Sequence, residues 1–364
     1  MVNRIILLSL WLYCQSLIMQ DENLFFADNT EDFIERFNSG SFSSVFILTD
    51  SNCSRYCLPV FRSKYPQIQI DEVIEIQGGE DHKNMISLEM IWSKMGSKSD
   101  RYSVLINLGG GIITDMGSFA AAVYKRGISF INVPTSLLAM TDAAIGGKTG
   151  VNFNGIKNQI GSFSEAFATL IDFDFLNTLP DRELKSGFAE MLKIAAIASS
   201  ELFCQLSEVV NIREELDAVM IRGAIFTKLE IVADDPLEKG RRKLLNFGHT
   251  IGHAIESLSI QRDAVPLSHG EAVAHGMVCE SLMAVNRNLL QQDDHDKIKD
   301  IIFRFFGNYS PDENRINELV NLMRFDKKNR NGKINFTLPV AIGDGIYDQY
   351  AEPEEIRKIL NTFI

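Results

Sequence analysis

Cysteine is scarce in this sequence and does not come in motifs. The 364 residues hold five, at positions 14, 53, 57, 204 and 279, an odd number with no Cys-x-x-Cys pair. That argues against a disulfide framework and fits a reducing compartment, so a cytoplasmic location is expected. Positive charge is not in excess either. With 36 Lys and Arg against 48 Asp and Glu, the formal charge is −12, which disfavours a general binder of nucleic acid or of anionic membrane. An anionic substrate would have to be met by basic groups gathered locally. No internal repeat or low-complexity linker is present, and neither the G-x-G-x-x-G nor the H-E-x-x-H signature occurs. Apolar runs long enough to span a bilayer are also missing. The opening stretch MVNRIILLSLWLYCQS is only as long as a signal-peptide core, and no clean small-x-small cleavage site follows. It is open to three readings: a signal peptide, an apolar segment packed on the domain, or an extension upstream of a true start at Met19. We favour the last.

What is present suffices for a large enzyme. Hydrophobic residues make up 45% of the chain, enough to bury a sizeable core in two domains. SSVFILTDSNC reads as an apolar strand followed by a polar turn, and VIEIQGGEDHKN repeats that pattern. RYSVLINLGGGIITDMGSFAAAVYKRG repeats it again, with a buried strand over 104–108, a tight turn at Gly109, Gly110 and Gly111, and a small-residue helix from Asp115 onward. Serial strand–turn–helix units imply a parallel, doubly wound, Rossmann-like α/β sheet. From Arg182 on, long segments carry helical periodicity, and one late stretch, GKINFTLPVAI, looks extended. The expected organisation is an extension over 1–18, an α/β domain over 19–178 and a mainly α-helical domain over 179–364.

Three groups of residues bear on chemistry. A strand running into three glycines and a helix lets backbone N–H groups approach a pyrophosphate, although a strand–GGG turn alone is more often just a tight turn. GGKTG at 146–150 resembles the end of a P-loop but lacks its first glycine at the right spacing, so it does not predict ATP binding. Of only six histidines, four (His249, His253, His269 and His275) fall in one short window. His249 and His253 share a helix face, and a pair of packed core histidines is the ordinary reading. Glu190 changes that balance: it sits on an otherwise apolar helix, SGFAEMLK, with Lys193 one turn on, and a buried carboxylate needs a cation. Glu190 with two of the histidines would make a two-His, one-carboxylate site with open positions, typical of catalytic zinc. Finally, Arg126, Lys148, Lys157, Lys193, Lys228, Arg242, Lys327 and Lys328 are scattered cations. Singly each reads as surface, whereas together they suit a substrate with several negative groups.

The stretches GGGIITDMGSFAAAVYKRG, VPTSLLAMTDAAIGGKTGVN, KNQIGSF, SGFAEMLK, LLNFGHTIGHAIE, HGEAVAHGM and DKKNRNGKINFTLP, in this order, resemble the 3-dehydroquinate synthase family of sugar-phosphate cyclases. The resemblance covers most of the chain from Asp50 to Val340. It implies an NAD-binding α/β domain, a helical domain and an active site in the cleft between them. Metal ligands carry over to Glu190, His249 and His269, with His253 near the substrate and not a ligand. NAD contacts carry over to Asp50, Asn52, Glu80, Lys83, Gly110, Gly111, Asp115, Thr135, Ser136 and Asp142, with Lys148 and Lys157 close by. Phe175, Thr178, Leu179 and Glu183 fall in a later nucleotide-contacting stretch. Substrate contacts carry over to Asp142, Lys148, Asn158, Lys193, Lys228, Arg242, Asn246, His253 and Lys328. Arg126 matches an arginine that reaches a neighbouring subunit's site, which implies a homodimer. Thr114 and Ser136 stand where many members have glycine and threonine, and the gap between His253 and His269 is slightly longer than usual.

The implied substrate is a small phosphorylated sugar acid, 3-deoxy-D-arabino-heptulosonate 7-phosphate, converted to 3-dehydroquinate and phosphate in the shikimate route to aromatic amino acids. NAD would be used and restored within each turnover, and one divalent ion, zinc or alternatively cobalt, would polarise the substrate hydroxyls. Competing readings are another cyclase acting on a substrate without a carboxylate, a metal- and NAD-dependent polyol or glycerol-phosphate dehydrogenase, and a binding protein that has lost catalysis.

Overall fold

Runs such as VFIL and VLINL are buried over their whole length, as strands covered by helices on both faces must be. The computed structural model describes residues 22–154, 156–324 and 333–362. The extension at 1–18 and the candidates Lys327 and Lys328 lie outside the described residues. The chain divides into two units, one ending at Pro180 and the other beginning at Asp181.

The first unit alternates strands and helices: β1 (Leu24–Phe26), α1 (Thr30–Ser39), β2 (Val45–Asp50), α2 (Ser51–Tyr56), α3 (Leu58–Lys64), β3 (Glu72–Ile76), α4 (Met85–Met95), β4 (Val104–Gly109), α5 (Gly111–Val123), β5 (Ser129–Pro134), β6 (Lys148–Phe153), β7 (Ile156–Phe163) and β8 (Ala168–Ile171). Six strands form one sheet in the order β1-β8-β5-β4-β2-β3, and every pairing in it is parallel. β6 and β7 make a separate antiparallel hairpin. β3 and β4 flank β2 on opposite sides, so the winding reverses there. Ligands of open parallel sheets bind beyond the carboxyl ends of strands at such a reversal; here those ends are Asp50 and Gly109. Phe46, Leu48, Ile74, Leu105, Met116 and Phe130 are among the residues that fill the core.

The second unit is mainly helical: α6 (Asp181–Ala198), α7 (Ser200–Glu208), α8 (Ile212–Glu215), α9 (Ala218–Asp234), a 3₁₀ turn over Arg241–Asn246, α10 (His249–Arg262), α11 (His269–Asn286), α12 (Gln292–Phe306), α13 (Glu313–Met323), the antiparallel hairpin β9 (Ile334–Ala341) and β10 (Asp344–Ala351), and α14 (Pro353–Asn361). Its core joins Ile255 and Leu258 of α10 to Met283, Leu319, Phe336 and Ile359. No helix among the described residues is long and apolar enough to cross a membrane.

Two local expectations change. The helix expected from Asp115 begins at Gly111, and the strand runs through Gly109, so the turn shrinks to Gly110. Gly109 pairs with Pro134 in the ladder, and Thr114 back-bonds to the Gly111 carbonyl at 3.1 Å, which extends both elements into the glycines. The polar turn after β2 is a helix, because the Asp50 side chain caps it by accepting from the N–H groups of Asn52 and Cys53. β10, DGIYDQYA, has too few apolar residues to read as a strand; pairing with β9 makes it one.

Candidate active site

Three helices of the second unit bring Glu190, His249, His253 and His269 together. α6 carries Glu190 and Lys193 on a face that is otherwise apolar and buried. α10 opens on His249 and places His253 one turn later. α11 opens on His269 behind the N-cap Ser268, whose side chain forms a capping box with Glu271. Small residues beside the histidines let these helices approach. A Cβ at Gly276 of α11 would lie 2.8 Å from the Gly252 nitrogen of α10. Gly270 presses on the Ser186 backbone of α6 and donates its N–H to Ser186 Oγ at 3.0 Å.

The donor atoms fit a metal ion. Nε2 of His249 and of His269 lie 3.6 and 3.3 Å from Glu190 Oε1. Zinc bonds of about 2.0–2.1 Å at tetrahedral angles put neighbouring ligand atoms roughly 3.4 Å apart. Each ring is turned by its other nitrogen: His249 Nδ1 donates to the Phe247 carbonyl at 3.1 Å and His269 Nδ1 to Glu256 Oε2 at 3.3 Å. Both Nε2 atoms thereby face Glu190. The Glu190 carboxylate is fully buried, contacts the Lys193 ammonium, and accepts no hydrogen bond of normal geometry at either oxygen. Donor atoms of His249, His253 and His269 also fall within 4.8 Å of one another, so His253 borders the same spot. His275 does not join them: it is buried and stacks on Tyr309, ring centroids 5.4 Å apart.

Charge in this cluster is uneven. Burial would raise Glu190, but Lys193, His249 and His269 hold its carboxyl well below the usual range. Burial and the Lys193 charge push His249 down to about 3, so its imidazole is neutral at physiological pH and able to donate a lone pair. Burial opposes protonation of His269 as well, yet the carboxylates of Glu190 and Glu256 push it up to about 10.

The cations expected from sequence separate by burial. Lys193, Lys228 and Arg242 are almost wholly buried; Lys157 is half-buried, and Lys148 and Arg126 are exposed. Arg242 sits in the 3₁₀ turn, its Nη1 donating to the Pro236 carbonyl at 2.7 Å, and Asn246 in the same turn donates to Glu238 Oε1 at 2.8 Å. This turn packs on α9, the helix of Lys228. Burying lysine and arginine is expensive without partners; Lys193 meets that cost at Glu190 and Arg242 in part at the Pro236 carbonyl.

In the first unit the candidates gather beyond the strand ends. Asp50 and Asn52 follow β2, Glu80 and Lys83 follow β3, Gly110 and Gly111 follow β4, and Thr135 and Ser136 follow β5. A Cβ on Gly110 would sit 3.4 Å from Ser136 Oγ. Asp142 lies on a π-helical turn over Ala139–Ala143. Lys83 Nζ is 2.6 Å from both Asp115 Oδ2 and Asn158 Oδ1. Asn152 completes this network, donating its N–H to the Lys83 carbonyl at 2.8 Å and its side chain to Glu80 at 2.7 Å. Phe175 and Thr178 form one 3₁₀ turn that ends at Leu179, whereas Glu183 is exposed at the start of α6 in the second unit.

Sequence reasoning missed Asn152, Glu256 and Glu280. The last two carried a signal: each is an acid on a mostly apolar helix segment, HAIE and VCESL, the feature that drew attention to Glu190. Thr114, one of the departures from the family pattern, is buried within α5, and the long gap between His253 and His269 includes a loop at 263–268 whose middle is exposed.

The N-terminal family model of 3-dehydroquinate synthase matches residues 73–186, and the C-terminal model matches 187–329. A 3-dehydroquinate synthase of Parabacteroides distasonis is 39% identical over 340 residues, 92% of this chain and 94% of that protein. One from Campylobacter jejuni subsp. doylei is 40% identical over 329 residues, 88% and 93% of the two chains. Among solved structures, a 2-epi-5-epi-valiolone synthase of Streptomyces hygroscopicus subsp. jinggangensis with NAD+ and Zn2+ bound superposes with a TM-score of 0.79. It is 27% identical, and the match covers 90% of this chain and 92% of that one.

Proposed function

The chain belongs to the 3-dehydroquinate synthase family, and from that membership we propose that it converts 3-deoxy-D-arabino-heptulosonate 7-phosphate to 3-dehydroquinate and phosphate. The observation that carries the reading is the convergence of Glu190, His249 and His269 at ligand spacing, with His253 beside them. Glu190, His249 and His269 would hold one divalent ion, zinc or cobalt. Asp50, Asn52, Glu80, Lys83, Gly110, Gly111, Asp115, Thr135, Ser136 and Asp142 would hold NAD. When bound, NAD supplies a reversible hydride acceptor and the ion a Lewis acid for neighbouring hydroxyls.

The remaining work falls to the chain's own side chains. Arg242, buried and forked, with Lys228, grips the substrate carboxylate, and Asn246 adds a hydrogen bond. Lys148, Asn158 and Lys328 meet the phosphate and the charge that grows as it leaves, and Lys193 is a further substrate contact. His253, half-buried beside the two imidazole ligands, moves the hydroxyl proton. A carboxylate-binding arginine favours this substrate over those of cyclases whose sugar phosphates carry no carboxylate. The enzyme would act in the cytoplasm as a homodimer, with Arg126 of one copy reaching the site of the other.

The test is turnover on the heptulosonate phosphate with divalent metal and catalytic amounts of NAD. A synthase releases phosphate many times per NAD and leaves no lasting NADH absorbance. Accumulation of NADH in step with product, without phosphate, would mark a dehydrogenase and overturn the proposal.

A further inference from the structure

Glu280 lies on α11, about three turns beyond His269, and has no part in the chemistry above. Its side chain is completely buried. Oε2 accepts the Gly248 N–H at 2.6 Å and Oε1 accepts the Ile251 N–H at 3.1 Å. Those donors belong to the first turn of α10, the turn that opens with His249. A helix start leaves N–H groups without intrahelical partners, and a side chain at the N-cap position usually meets them. Here that position is Gly248, in the left-handed region at φ 77 and without a side-chain cap. No capping residue fits there: a Cβ on Gly248 would lie 2.8 Å from the Val273 carbonyl of α11. The helix that excludes a local cap provides one itself.

We propose that Glu280 is a positioning residue for the histidine cluster, acting as the N-cap of α10 from the neighbouring helix α11. One carboxylate thereby ties the helix of His249 and His253 to the helix of His269. The buried negative charge is offset by two N–H donors and by the positive end of the α10 dipole. Without it the first turn of α10 frays, and His249, its first residue, leaves its place opposite Glu190. The proposal rests on the reading that Glu190, His249 and His269 hold the ion.

Glu280→Gln tests it, since it keeps the volume but turns an amide N–H toward one of the two donors. Two measurements are made on the full chain. Hydrogen exchange of the peptide spanning 247–254, followed in the metal-free protein, should speed up about tenfold or more relative to the rest of α10. Binding of Co2+, followed by its visible absorption, should weaken about tenfold or more with an altered spectrum, the usual size of effect for groups that orient ligands. Glu355→Gln is the control, because it removes an ion pair to Arg287 at the far end of α11; it should leave the Co2+ affinity and spectrum unchanged. Unaltered exchange in Glu280→Gln overturns the capping claim, and faster exchange with wild-type Co2+ binding overturns the positioning role. If the wild-type protein takes up no Co2+, or His269→Ala binds it as wild type does, the metal reading itself falls and the positioning role falls with it.

Discussion

His269 is gripped at both ring nitrogens, and the outer grip is Glu256: its Oε2 lies 3.3 Å from Nδ1, while Nε2 faces Glu190 at the same distance. A carboxylate behind a histidine fixes its tautomer and raises its basicity toward a metal. Glu256→Gln should therefore weaken Zn2+ or Co2+ binding about tenfold, read by titration against a chelating dye, with the fold retained. Wild-type affinity in this variant would show that the contact does not orient a ligand.

At Gly276, α11 lies directly against α10, with the Gly252 nitrogen 2.8 Å from where a Cβ would be and the Gly248 carbonyl nearer still. Gly276→Ala should cost about 1–3 kcal/mol in urea unfolding, as overpacking does. Because that seam carries the histidines, metal affinity should fall along with stability. A destabilised variant with normal metal binding would separate the packing from the site.

Lys83 is buried between Asp115 and Asn158. Burial pushes the Asp115 carboxyl up, and the Lys83 charge opposes that. Lys83→Met should destabilise the protein by about 3–5 kcal/mol, the order expected when one partner of a largely buried pair is removed, and should weaken NAD binding in calorimetry. The double variant Lys83→Met/Asp115→Asn should recover stability but not NAD affinity. Recovery of both would assign Lys83 a purely structural role.

His275 is buried against Tyr309, and burial pushes its imidazole from 6.5 down to about 4, with Glu271 opposing the shift. A histidine base depressed in the folded state is more easily protonated when unfolded. Its contribution is therefore complete above pH 6.5 and is lost as the pH falls through about 4. Across that window wild type should lose roughly 3 kcal/mol that His275→Leu does not. Parallel stability–pH curves for the two proteins would refute the assignment.

Arg242 is almost wholly buried and anchored to the Pro236 carbonyl, which presents its fork in one orientation. Arg242→Lys keeps the charge and loses the fork. It should lower kcat/KM by about 2 kcal/mol of transition-state binding, chiefly through KM. Equal kinetics for both proteins would remove Arg242 from carboxylate binding.

Short-range pattern carries much of this molecule. Apolar runs of strand length followed by glycine or Asp turns announce the parallel sheet because burial on both faces leaves no alternation to misread. The spacing of His249 and His253 places them on one face of α10 by helix geometry alone, and Glu190 stands out because a charge on an apolar face must find a partner. Other features cannot be read from one segment. β10 is a strand only because β9 pairs with it. Whether Lys193, Lys228 and Arg242 are buried while Lys148 is exposed depends on what packs over them.

The order of elements, the shape of the sheet and the chemical types at the site were set by local sequence, since period, capping and turn chemistry act over a few residues. Tertiary packing alone decided that Glu190, His249 and His269 face one another at ligand distance, and that Glu280 caps a helix whose own N-cap has no room for a side chain. Those contacts join residues from 20 to 79 positions apart (residues 249 to 269 for the nearest pair and 190 to 269 for the farthest), and no periodicity within a helix reports what a neighbouring helix brings to it.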